Sequence, residues 1–98
     1  MIERRETLTL ILTKLWYDLI LCGFKKEEYR EIKPFWNSRL EGKSYKQVVF
    51  INGYHPDARR MCFEVLDIKK DYGNPDWGGD LNHKDWVISL GKMKWSKG

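Results

Sequence analysis

The segment Gly23 to Arg30, GFKKEEYR, gathers side chains able to hold charge or move a proton. From Lys25 to Lys33, nine residues carry the cations Lys25, Lys26, Arg30 and Lys33 among the carboxylates Glu27, Glu28 and Glu31. One use of such a pattern is a solvated face held by local ion pairs. The other is the floor of a polar pocket. In a pocket, a lysine that is buried or set beside other cations becomes a base, whereas one paired to Glu28 stays an ammonium that binds a phosphate or carbonyl. Arg30 offers a planar donor fork for a phosphate or base edge, and Glu28 accepts from an exocyclic amine. If the chemistry is hydrolysis, Glu28 suits the activation of water and Lys25 the stabilisation of an oxyanion.

A second group of candidates is aromatic or lies in turns. Trp36, Tyr54 and Trp77 sit beside stretches rich in Asn, Gly and Asp, where a ring stacks on a base for roughly 1–3 kcal/mol. The turn Asn52-Gly53-Tyr54-His55 and the pair Arg59-Arg60 add an amide, a phenol, an imidazole and two guanidiniums, enough to line a cleft or follow a phosphate backbone. A solvated strand entrance accounts for an Arg pair equally simply. His55 and His83 are weaker acid-base candidates. Trp16 and Trp86 fall within apolar patterns and are expected in the core.

These residues need elements to position them. Thr7 to Thr13, rich in β-branched residues, predicts a strand. Lys14 to Cys22 changes period, with Trp16, Leu19 and Ile20 at i, i+3 and i+4, and predicts a helix ended by Gly23. A strand leaving that cap places Lys26, Glu28 and Arg30 on one face, with Lys25 in the turn. Pro34 to Leu40 suits a short helix with Pro in its first turn and Phe35, Trp36 and Leu40 on one face. Glu41 to Lys46 reads as a loop. Gln47 to Gly53 and Met61 to Ile68 read as strands paired across the Tyr54 to Arg60 connection, Lys69 to Lys84 as a long loop with one helical turn, and Asp85 to Leu90 as the last strand. The basic stretch from Gly91 has no predicted element.

The chain has 98 residues, the size of one small domain, and the expected unit is 1–98. Hydrophobic residues at 42% exclude a disordered polymer. Eighteen Lys and Arg against fourteen Asp and Glu give a net charge of +4, which favours polyanions without selecting one. Cys22 and Cys62 sit in apolar runs and are expected to be buried thiols, with no zinc spacing, so neither metal nor cofactor is expected. Without a signal-like amino end or a membrane-length apolar run, the expectation is a cytoplasmic protein with no membrane partner.

The run LILCGFKKEEYREIKPFW resembles the start of the ASCH domain, a family of PUA-like fold with the signature G-x-K-x-x-E-x-R, here Gly23, Lys25, Glu28 and Arg30. The order of the predicted elements extends the resemblance over nearly the whole chain. It implies an α+β, PUA-like curled sheet or β-barrel with short capping helices, and a cleft between sheet and helix that binds RNA or a nucleoside. Family members similar to acetylcytidine amidohydrolases use the motif Lys as base or activator, a Thr three residues later as nucleophile and a downstream Glu. Lys25 is retained, Glu28 stands where that Thr would be, and Glu64 has no secure match to the third. The expected function is binding of RNA or a nucleotide by Gly23, Lys25, Glu28, Arg30, Trp36, Asn52, Tyr54 and Arg59. A hydrolase of a modified nucleoside or of RNA, with Lys25 and Glu28 catalytic, and a protein-interaction or inhibitor module are the alternatives.

Overall fold

A computed structural model describes residues 2–98. Strand β1, Glu3–Leu12, alternates as its sequence requires: Leu8, Leu10 and Leu12 are buried while Thr7 and Thr9 face outward. Helix α1, Lys14–Leu21, follows after a single residue and buries Tyr17 and Ile20. Its inward face is therefore rotated from the expected one. Trp16 is only half-buried, because its ring covers a buried ammonium, and Leu15 is exposed. Strand β2, Glu27–Arg30, and helix α2, Pro34–Leu40, come next, with Pro34 in the first turn and Leu40 in the core. Phe35, expected on the buried face of α2, is exposed and stacks edge-on against Trp36.

The remaining strands are longer than their apolar cores. Strand β3 spans Lys43–Asn52 because Lys43, Ser44 and Tyr45 pair in parallel with Glu3, Arg4 and Arg5 of β1, where a loop was expected. Strand β4 runs Arg60–Asp71, and strand β5 runs Asp85–Lys97. The basic stretch from Gly91 is thus a strand, with Met93, Trp95, Ser96 and Lys97 paired to Phe63, Cys62, Met61 and Arg60. Register irregularities between Cys62 and Asp67 bend this ribbon. A single 3-10 turn, Pro75–Trp77, interrupts the β4–β5 connection.

The result is an α+β fold around one five-stranded mixed sheet of order β1-β3-β4-β5-β2, in which β1 and β3 are parallel and the other neighbours antiparallel. The sheet is open, with β1 and β2 as its edges. Its core joins Leu8, Val48, Phe50, Met61 and Ile88 to Tyr17 and Ile20 of α1 and Leu40 of α2. A radius of gyration of 12.9 Å fits a chain of this length folded about one core. Both cysteines are free thiols; Cys62 is buried, but Cys22 is exposed at the end of α1, where the helix has turned its apolar side away. No helix among the described residues is long and apolar enough to cross a membrane.

Candidate functional site

The site begins with the end of α1. Gly23 takes a φ of 86°, a conformation that favours glycine, and its N–H donates to the carbonyl of Ile20. Two residues on, the Lys25 N–H reaches back to the Leu19 carbonyl at 2.9 Å. This reversal turns the Lys25 side chain inward, leaving it 2% exposed. Its Nζ donates to the Trp77 carbonyl, lies 3.3 Å from Glu28 Oε1, and stands 4.7 Å from the ring centroids of both Trp16 and Tyr29. Carbonyl, carboxylate and two π faces replace the water that burial removed. Burial still lowers the Lys25 pKa from its ordinary value, with Glu28 opposing the shift.

Strand β2 supplies the next two members by alternation, Glu28 and Arg30 sharing one face. Glu28 Oε2 accepts from Arg30 Nη2 at 2.7 Å and from Nε at 3.1 Å. The same Nη2 donates to the Ile11 carbonyl at 3.0 Å, so Arg30 links edge strand β2 to edge strand β1. Trp36 of α2 covers the guanidinium at 4.9 Å. Glu28 is therefore held between two cations, one oxygen to each.

Beside this cluster opens a cleft of about 320 Å³ whose walls include Ile11, Thr13, Trp16, Glu28, Arg30 and Trp36. That volume lies at the small end of ligand sites. Across Tyr29 and Arg30 lies a second hollow of about 360 Å³, bounded by Gly78, Gly79, Asp80, His83 and Asp85. The connection from Tyr72 to Lys84 packs over Lys25 through the Trp77 carbonyl, with Gly73 against the Tyr29 ring and Gly78 against the Trp16 ring. Asn74 N–H donates to the Tyr29 hydroxyl, which donates to Glu27, and a Cβ on Gly79 would come within 2.4 Å of the Gly73 backbone. Burial raises the Tyr29 pKa. Its contact with the Lys84 carbonyl, followed by the charge of Asp80, raises that of His83, and burial raises that of Asp85.

The expected site residues divide between two places. Lys25, Glu28, Arg30 and Trp36 come together, with Gly23 providing the turn, and the burial of Lys25 and Glu28 rules out a solvated face for those two residues. Glu28, Arg30 and Trp36 line the cleft, whereas Lys25 stands behind them. Asn52, Tyr54 and Arg59 line no part of it. Asn52 N–H donates to the Arg59 carbonyl at the base of the β3–β4 loop, Tyr54 is 88% exposed, and Arg59 lies over Tyr17, 3.9 Å from Asp18. Glu64 is also outside the cleft, where its Oε1 accepts from the Lys92 N–H. Trp77 contributes a backbone carbonyl, and Trp86 is buried with its Nε1 donating to Asn37, as a core tryptophan should.

Sequence reasoning missed Trp16, Ile11 and Thr13 as walls of the cleft. Trp16 fits the helical apolar repeat, so periodicity could not separate it from the core. Among the described residues no group of three or more His, Cys, Asp or Glu is placed to hold a metal ion. No protein-family model, curated protein or solved structure matches the chain.

Proposed function

We propose that the protein binds RNA or a nucleotide, with a base or nucleoside in the Trp16–Trp36 cleft, and that it is an ASCH-like domain of PUA-like curl. Gly23, Lys25, Glu28 and Arg30 occupy the positions of the family signature and act as one cluster, which supports the resemblance. The Arg30 link between β2 and β1 supports a sheet curling toward closure. The observation that carries the binding reading is the Glu28 carboxylate, fixed between Lys25 and Arg30 at the wall of a cleft that also contains two tryptophans. A carboxylate so held accepts from the donor edge of a base, and the rings provide faces for stacking.

Binding is favoured over turnover because Lys25 is enclosed. Its Nζ is committed to the Trp77 carbonyl and Glu28, and a general base must reach the proton it removes. Its role is to hold Glu28 in place. The test is an amide NMR titration with the four ribonucleoside monophosphates and a short RNA, with chromatography of the same samples. Saturable shifts at Glu28, Arg30 and Trp36 without new product are expected. Trp36→Leu should weaken binding about ten-fold, within the roughly 1–3 kcal/mol of one stacking contact, while the chain stays folded. Absence of shifts at millimolar ligand overturns the reading, and new product transfers it to the hydrolase alternative.

A further inference from the structure

The face of the sheet turned away from the core carries charge that the fold does not use. Leu8, Leu10, Val48, Phe50 and Met61 point into the core, so their alternating neighbours form the opposite face. Following the register across the strands, Ile11 pairs with Ile51, Ile51 with Arg60, and Arg60 with Lys97. The adjacent row on this face runs Thr9, Val49, Cys62 and Trp95. Trp95 is 43% exposed.

Arg60 and Lys97 are like charges placed directly opposite one another, an arrangement that destabilises a strand pair. Among the described residues neither forms an ion pair, although Asp57 lines the same hollow of about 300 Å³ beside them. Lys94 has no ionic partner among the described residues either, and it donates to the Gln47 side chain, whose amide donates to Thr7. Of the carboxylates on this face, Glu64 accepts from the Lys92 N–H and Glu3 pairs with Arg5. Unbalanced positive charge next to an exposed indole matches the chemistry of a single nucleic-acid strand, with phosphates on the cations and a base on the ring.

We infer that the Arg60–Lys97 row, with Trp95 beside it, is a second contact surface for single-stranded RNA, continuous with the cleft through Ile11. Ile11 lines the cleft and begins the row. Three strand spacings, about 14 Å, separate Ile11 from Lys97, a distance that one strand covers while keeping a base in the cleft. The β3–β4 loop residues Tyr54 and Arg59 sit at this end of the sheet, which gives the turn candidates a place outside the cleft. The inference rests on the proposed RNA reading, extending it from a nucleotide to a strand.

The experiment measures the affinity of the full chain for a fluorescent twelve-nucleotide oligouridylate across a salt series, together with uridine monophosphate binding by NMR. Arg60→Gln/Lys97→Gln should weaken the oligonucleotide at least ten-fold at low salt and flatten its logarithmic salt slope by about 1.4, the value for two phosphate contacts. Mononucleotide affinity should not change. Lys69→Gln/Lys70→Gln, equal in charge change but outside the row, should have less than a third of the effect. Equal losses from both pairs, or none from the first, overturn the second surface even if the cleft still binds mononucleotide. If mononucleotide fails to bind while the Arg60/Lys97 effect persists, the cleft reading fails and the surface stands alone. An oligonucleotide that does not bind the unmodified chain overturns the surface directly.

Discussion

Two basic regions of this molecule are built in opposite ways. Around Lys25, each charge has a partner: the ammonium meets Glu28, a carbonyl and two rings, and Arg30 meets Glu28 and the Ile11 carbonyl. Along the outer face of β4 and β5, Arg60 and Lys97 confront each other without a counter-ion among the described residues. Buried charges must be neutralised where they stand, because desolvation removes several kcal/mol of hydration from each ion. Exposed charges need no such arrangement, since water and salt screen them. The first region is held together by its charges; the second tolerates them and leaves them available to a polyanion.

The comparison breaks most decisively at Glu28. Glu28→Ala leaves the enclosed Lys25 ammonium without its carboxylate and releases the Arg30 guanidinium, so the expected loss is about 3–5 kcal/mol, the range for removing one partner of a buried ion pair. Urea unfolding monitored by tryptophan fluorescence measures it. A loss below about 1 kcal/mol would show that the cluster is solvated in solution and end the contrast. Arg60→Gln should lie within about 0.5 kcal/mol of the parent, as substitutions at exposed sites do.

The same contrast explains how much could be read from the residues alone. Periods of two and 3.6 located β1, α1 and the apolar centres of β3, β4 and β5, because burial of one face imposes those periods. Extensions such as Lys43–Lys46, Lys69–Asp71 and Gly91–Lys97 were missed. Tyr45 is the one core residue in these three stretches, and a single buried ring among charged and small residues leaves no readable period. At the site, alternation placed Glu28 and Arg30 on one face, as β2 does, but gave them Lys26, which is exposed and precedes the strand; Lys25 was grouped with them by the resemblance to the G-x-K-x-x-E-x-R signature. The cage around Lys25 was not legible, since its acceptor is the backbone carbonyl of Trp77, 52 residues along the chain. Nor was the separation of Tyr54 and Arg59 from the cleft, which follows from the direction the β3–β4 loop takes.

On the outer face, a charge reversal sharpens the comparison. Lys97→Glu converts the opposed like charges into an attractive cross-strand pair and should stabilise the fold by about 0.2–1 kcal/mol, while weakening oligonucleotide binding. Thermal unfolding at low and high salt measures the gain, which should shrink as salt rises. A stability loss would mean that Lys97 has a structural partner and that the row is not free charge.

The smallest expected effect comes from the connection that covers Lys25. His83 lies between Asp80, 3.1 Å from Nε2, and Asp85, 3.6 Å from Nδ1, and faces Glu31 as well as the Lys84 carbonyl. Its folded pKa is raised from 6.5, so its contribution is fully present below 6.5 and is lost as pH rises through the folded value. Asp85, raised from 3.8 by burial, has the same sign but a more acidic window. Lys25 has the opposite sign: its folded pKa is below 10.5, so the cost of its buried charge is relieved as pH rises toward 10.5. Amide exchange at Asn74 and Gly79, corrected for intrinsic rates, should therefore lose protection above about pH 6.5, and His83→Gln should flatten that decline. If His83→Gln leaves the slope unchanged, the Asp80–His83–Asp85 contacts do not hold the connection closed, and the enclosure of Lys25 depends on the Trp77 carbonyl and the Gly73–Gly79 packing instead.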